Sequence, residues 1–149
     1  MSYELRVERL IAATPEEVFD AYTDPVAQQA WFTILDPEMI VENEVDLRVG
    51  GKWVSVWGFS PDQMFRETNV FEVVDRPNRL VSTSSGSSPD GMTLETHVEI
   101  TFEEQNGKTL MTVIQSGFPD EETRDFFASM AWIGAFDRLE AYLGTRTVT

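Results

Sequence analysis

The chain has 149 residues, enough to bury one core without disulfides or metal staples. It contains no cysteine, which excludes disulfides, thiolate nucleophiles and cysteine zinc sites. With 26 acidic against 11 basic residues the formal charge is −15, which opposes binding to nucleic-acid backbones and anionic membranes. The N-terminal Met1-Ser2-Tyr3-Glu4-Leu5-Arg6 lacks the basic-then-apolar order of a signal peptide. No window approaches the roughly 18 uninterrupted apolar residues of a membrane span. The expectation is a single soluble, cytoplasmic domain over residues 1–149.

A first strand is expected over Glu4–Ile11, where Leu5, Val7 and Arg9 alternate with Arg6, Glu8 and Leu10. Thr14-Pro15-Glu16-Glu17 then carries a capping-box signal, with proline suited to the first helical position. Val18, Phe19 and Tyr22 form the apolar face of a short helix that Asp24-Pro25 interrupts. A second helical turn from Pro25 to about Trp31 presents Val26, Ala30 and Trp31. Next come strand-like segments. Val45, Leu47 and Val49 alternate before a Gly50-Gly51 turn, and Lys52–Phe59 sets Trp53, Trp57 and Phe59 on one face. Phe65–Val74 and Arg79–Ser84 follow, separated by Arg76-Pro77-Asn78. A polar loop is read over Ser84–Gly91, with the serines from Ser82 onward assigned to flexible, lid-like chain rather than to a nucleophile. Thr93–Glu103 and Thr109–Ser116 are joined by Asn106-Gly107, the clearest hairpin signal present.

The last segment, Asp120 to Leu143, is the only one that can form a long helix. At 100° per residue Trp132, Phe136, Leu139 and Leu143 share a stripe, which Phe126, Met130 and Ile133 would widen to about half the circumference. The order of strand, two short helices, further strands and one long helix predicts an α+β arrangement. In it a curved antiparallel sheet of about seven strands grips the C-terminal helix, with the two short helices closing one end.

Several local sequences carry a resemblance. They are Thr14-Pro15-Glu16-Glu17-Val18-Phe19-Asp20-Ala21, Asp24-Pro25 with Trp31, Asp46-Leu47-Arg48-Val49-Gly50-Gly51-Lys52-Trp53, Arg76-Pro77-Asn78-Arg79-Leu80-Val81, Ser116-Gly117-Phe118, and Trp132 with Leu139 and Leu143. In this order the chain resembles the activator of heat-shock-protein-ninety ATPase family (its C-terminal-domain-like members). That family lies within the START-like helix-grip superfamily of polyketide cyclases and pollen-allergen-like proteins. The resemblance implies the helix-grip fold and the binding or transformation of hydrophobic molecules, without naming which. Two positions depart from the family pattern. Ala131 stands where glycine often precedes the helix tryptophan, and Gln115 stands where a histidine is common. The eukaryotic co-chaperones carry a further N-terminal domain, which leaves a chaperone partner as the weakest of the expectations.

The expected function is binding of a small hydrophobic molecule between helix and sheet. Trp31, Trp53, Trp57, Phe65, Trp132 and Phe136 form the walls, and Arg48 and Gln115 serve as polar anchors. Core packing is the competing reading for each aromatic, and an exposed pair with Asp46 for Arg48. The alternative is a cyclase- or hydrolase-type enzyme using Asp137, Gln115, Tyr22 or Arg48, although no acid–base–nucleophile set is legible. Asp137 and Glu140 are expected at the edge of the helix stripe, reaching water. His97, the only histidine, sits on the polar face of its strand beside Glu95 and Glu99, and no metal motif accompanies it. No metal and no cofactor are therefore expected. Apolar residues on both faces of Lys52–Phe59 leave a homodimer open. A filled interior beneath the helix would defeat the binding expectation.

Overall fold

The structure is a computed structural model that describes residues 2–146. Its elements are β1 (Tyr3–Ile11), α1 (Pro15–Thr23), α2 (Pro25–Thr33), β2 (Ile40–Val45), β3 (Lys52–Gly58), β4 (Met64–Asp75), β5 (Arg79–Ser87), β6 (Thr93–Gln105) and β7 (Lys108–Phe118). They are followed by α3 (Glu121–Phe126), a π-helical turn (Phe127–Ala131) and α4 (Trp132–Arg146). The strands make one seven-stranded antiparallel sheet in the order β1-β7-β6-β5-β4-β3-β2. The α1–α2 segment carries the chain from β1 at one edge to β2 at the other. Each later strand then pairs with its predecessor until β7 closes on β1.

The capping signals act as read. Thr14 accepts from the Glu17 amide, Glu17 accepts from the Thr14 amide, and Pro15 opens α1. Asp24 ends α1 and caps α2 by accepting from the Ala27 amide at 3.0 Å. On α2, however, Ala27, Gln28 and Trp31 are buried, while Val26 and Ala30 face water. The side-chain amide of Gln28 donates to Tyr22 O, and the Trp31 indole donates to Ala21 O, each at 2.8 Å. These bonds fix which face of α2 turns inward.

Three strand boundaries moved. The strand before the Gly50-Gly51 turn is Ile40–Val45, and Asp46–Gly51 is a folded loop rather than the strand that Val45, Leu47 and Val49 suggested. Its backbone turns back on itself, with Gly51 N donating to Arg48 O and Gly50 N to Phe71 O. Gly51 is required there, because a Cβ would stand 2.1 Å from Asp46 O. At the far end of β3, Phe59 lies beyond the strand and is exposed. β5 runs on to Ser87, so Ser82 and Ser84 are buried strand residues. The turn is confined to a short segment where Ser88 O accepts from Gly91 N and Ser88 N donates to Met92 O. Asn106 and Gly107 both take positive φ, as a tight hairpin between β6 and β7 demands.

The long helix is interrupted. Its stripe holds through α4, where Phe136, Leu139 and Leu143 are buried and Trp132 is half-buried. Upstream, Phe126 is 55 % exposed and Met130 63 %, and Ile133 also faces outward. Ile133, inside α4, sits at the edge of its stripe; for Phe126 and Met130 the cause is the π-helical turn. It inserts one extra residue into the helical repeat, so positions before it are rotated by about one residue relative to α4. Phe127 and Ala128 therefore turn toward the core in place of Phe126 and Met130.

Inward positions of the sheet and the helix stripe divide the interior into two halves. At the end where α1 lies, Val18, Phe19, Phe71, Leu80, Ile100, Phe102, Met111, Val113, Phe136, Leu139 and Leu143 form a filled core. Phe19 meets Phe102 edge-on at 5.2 Å. Toward the opposite end the polar inward side chains Ser55, Asn69, Ser84, Thr96 and Gln115 are still buried, while Trp57, Phe65, Glu67, Leu94 and Trp132 around them stay partly exposed.

Candidate functional site

Strand alternation and register decide what lines the uncovered half. On β3, beyond the core residue Trp53, Ser55 and Trp57 point inward, and register sets Ser55 beside Glu67 and Trp57 beside Phe65 on β4. Asn69 of β4 pairs with Ser84 of β5, which pairs with Thr96 of β6. Gln115 of β7 follows beside Val98. The helix presents Ala128, Trp132 and Ala135 above this row. The result is a shallow recess at the rim of the sheet, with partly exposed aromatic walls over a buried polar floor.

The walls are stacked on one another. The Trp57 and Phe65 rings lie parallel at 5.7 Å, and Phe32 of α2 meets Trp57 edge-on at 6.4 Å. Phe65 remains 42 % exposed although it points to the concave side, and Trp57, Phe32, Leu94 and Trp132 are half-buried. Inward-facing apolar side chains that stay partly wet mark a concavity that the fold itself does not fill.

The floor is a row of hydrogen-bonded polar groups. The Trp132 indole donates to Gln115 Oε1 at 2.8 Å, and Gln115 Nε2 donates to Thr96 Oγ1 at 2.8 Å. This chain of bonds ties the helix to β7 and β6 and orients the indole across the recess. On the other side Ser82 donates to Asn69 Oδ1 at 3.2 Å, and Asn69 Nδ2 donates to Glu67 Oε1 at 3.0 Å. Asn43 of β2 accepts from Ser55 and from the Trp53 indole, leaving its own Nδ2 buried without a partner. Burial pushes the Glu67 carboxyl above its usual range, and the bond from Asn69 offsets only part of that rise. The Tyr22 hydroxyl is pushed up as well, mainly by burial and further by the negative charge of Glu67.

The expected site residues separate into three groups. Trp57, Phe65 and Trp132 line the recess, and Gln115 lies on its floor. Trp31, Trp53 and Phe136 belong to the filled core: Trp31 stacks on Tyr22 at 6.0 Å and Trp53 meets the same ring edge-on at 5.1 Å. Arg48 lies apart from the recess, on the exposed β2–β3 loop, where it bonds Asp46 at 2.8 Å. Asp137 reaches water, as expected, and accepts from Arg9 at 3.1 Å, while Glu140 takes the same guanidinium. His97 is on the outer sheet face, 3.1 Å from Glu72. Among the described residues no group of three His, Cys, Asp or Glu side chains is placed to hold a metal. Two clefts of about 350 and 460 Å³ are also present, the first of them reaching Gly86 and Leu94 at the edge of the recess. One opens around Arg66, Ser85 and Glu95, and the other between Pro15, Asn78 and Glu103.

Glu67, Asn69, Ser55, Asn43, Ser84 and Thr96 were not anticipated. The signal for two of them was present in β4, where Phe65, Glu67, Asn69 and Phe71 alternate with outward residues.

A curved antiparallel sheet wrapped on a C-terminal helix, with two short helices after the first strand, defines a helix-grip α+β protein. Solved structures confirm that class. The chain superposes on a protein from Rhizobium leguminosarum with a TM-score of 0.82 at 20% identity, covering 97% of this chain and 96% of that one. A Mesorhizobium loti protein gives 0.75 at 23% identity over 99% and 100% of the two chains. A Rhodobacter sphaeroides protein gives 0.75 at 26% identity over 95% and 93%. The profile of the family described as activator of Hsp90 ATPase homolog 1-like protein matches residues 12–144, and the chain belongs to that family. No curated protein sequence matches it.

Proposed function

We infer that this protein binds a small, largely apolar molecule in the uncovered half of the space between α4 and the sheet. The observation that carries this reading is the partial exposure of Trp57, Phe65, Leu94 and Trp132, which point inward yet are only partly covered by their neighbours. Ligand pockets combine apolar walls with a few placed polar groups, and this recess has both. The reading is narrower than a cavity beneath the whole helix, because the half nearest α1 is filled by core side chains.

The enzymatic alternative draws less support from its original residues. Asp137 is engaged by Arg9 at the surface, Arg48 is remote, and burial holds the Tyr22 hydroxyl in its neutral form. Glu67 is the titratable group that the recess does contain.

Thermal-shift screening of the purified protein against small aromatic and lipid-like compounds tests the reading. A compound present at about a hundredfold its Kd should stabilise the native state by about 2.7 kcal/mol. Ala128→Phe, which places a ring in the recess from the helix side, should abolish that shift without unfolding the protein. A stabilising compound whose effect survives Ala128→Phe binds elsewhere and contradicts the assignment.

A further inference from the structure

Resting on the binding reading above, we propose that the ligand carries a cationic head, a protonated amine on an apolar or aromatic body, and that Glu67 is its recognition residue. Four features converge. First, among the described residues Glu67 is the only charged side chain on the inward positions of this half, where its neighbours include Ser55, Trp57, Phe65, Asn69, Gly86 and Leu94. Second, the carboxyl group is unneutralised. Among the described residues it accepts one hydrogen bond, from Asn69, and no cation pairs with it, which is a costly condition for a carboxylate removed from bulk water. A bound ammonium would supply the missing charge and donate to the oxygen that Asn69 leaves unused. Third, no side chain of β5 stands beside Glu67. Across the β4–β5 pair the partner of Glu67 is Gly86, which places no side chain over the carboxyl, and the ring faces nearby are those of Trp57 and Phe65. Aromatic walls favour a cation over an anion, because the ring quadrupole presents its negative face. Fourth, the whole chain carries −15, so its field concentrates cations and repels anions at every approach to the recess.

Tyr22, Ser55 and Asn43 complete the surroundings of Glu67 without changing this sign, since none of them brings a positive charge. The floor therefore selects by charge and the walls by shape. Among the described inward residues of this half no cation would neutralise a carboxylate or phosphate head, whereas Glu67 would neutralise an ammonium.

The test compares three probes of one size: 2-phenylethylammonium, neutral methyl 2-phenylethyl ether and anionic 3-phenylpropionate. Dissociation constants are read from the indole signals in a proton–nitrogen correlation spectrum. The wild-type protein should bind the ammonium about tenfold or more tightly than the ether, with the propionate weakest of the three. Glu67→Gln should erase the advantage of the ammonium while leaving the ether within about twofold of its wild-type value. An ether bound as tightly as the ammonium, or a preference for the ammonium that survives Glu67→Gln, overturns the assignment of Glu67 and leaves the binding reading standing. If no probe is bound at millimolar concentration, both fall. Should Glu67→Gln fail to fold, the wild-type ranking decides the matter, and a propionate bound as well as the ammonium overturns the proposal.

Discussion

Glu67 holds a carboxyl in a half-buried position where burial favours its neutral form. A native-state pKa raised above that of the unfolded chain means that the folded protein binds more protons in the interval between the two. The stability contributed by this group is therefore full below the unfolded value of about 4.3 and is lost as pH rises through the native value. Glu67→Gln removes that loss, so its stabilising effect should be larger at about pH 8 than at about pH 4, as denaturant unfolding at the two pH values will report. A variant that destabilises equally at both would contradict the placement of the carboxyl. The aromatic residues divide by the same logic of burial. Phe136 is fully enclosed, and Phe136→Ala should cost about 3–5 kcal/mol. Trp132 is half-buried with its indole bonded to Gln115, and Trp132→Ala should cost about 1–3 kcal/mol. Equal losses in chemical denaturation would place Trp132 in the core after all. From the sequence these two residues looked alike, because they share one helical stripe. Only the end of the sheet under which each lies distinguishes them.

At the scale of elements, local signals were strongest where a single residue type satisfies a single backbone need. Thr14, Pro15 and Glu17 start α1, and Asn106-Gly107 turns β6 into β7. Thr14→Ala removes the side chain that accepts from the Glu17 amide and should cost about 1 kcal/mol in thermal or chemical unfolding. Gly51→Ala should cost more, about 1–3 kcal/mol, because the added Cβ meets a backbone oxygen that cannot move independently of the loop. Period-based readings failed where the period itself changes. The π-helical turn shifted the phase of Phe126 and Met130, which uniform 100° spacing cannot register. Val45, Leu47 and Val49 alternate as a strand would, yet long-range bonds from Phe71 hold that segment as a loop. Ser85, Gly86 and Ser87 read as loop by composition and continue β5, since pairing with β4 and β6 outweighs propensity. Apart from Gln115, the polar floor escaped notice for the same reason: its members come from separate strands and meet only through register.

For the molecule as a whole, order and spacing of elements made the helix-grip class legible, because few topologies bury one long helix against so many antiparallel strands. The site was legible only as a set of aromatics, since half of them serve the core and half the recess. The charge of −15 acts at this scale too. Self-repulsion of that charge opposes compaction, so the melting temperature should rise when salt is raised from about 10 mM to about 200 mM. A melting temperature that falls over this range would show that local ion pairs, such as Arg76 with Asp20, outweigh the global term. The division of the interior into a filled half and an uncovered half is the central claim, and the four tryptophans straddle it. Their indole signals, followed during titration with an amphipathic aromatic amine, test it most directly. Trp57 and Trp132 should shift while Trp31 and Trp53, enclosed in the core, stay in place. Shifts at Trp31 and Trp53, or none at Trp57 and Trp132 with a compound that binds, would contradict the account.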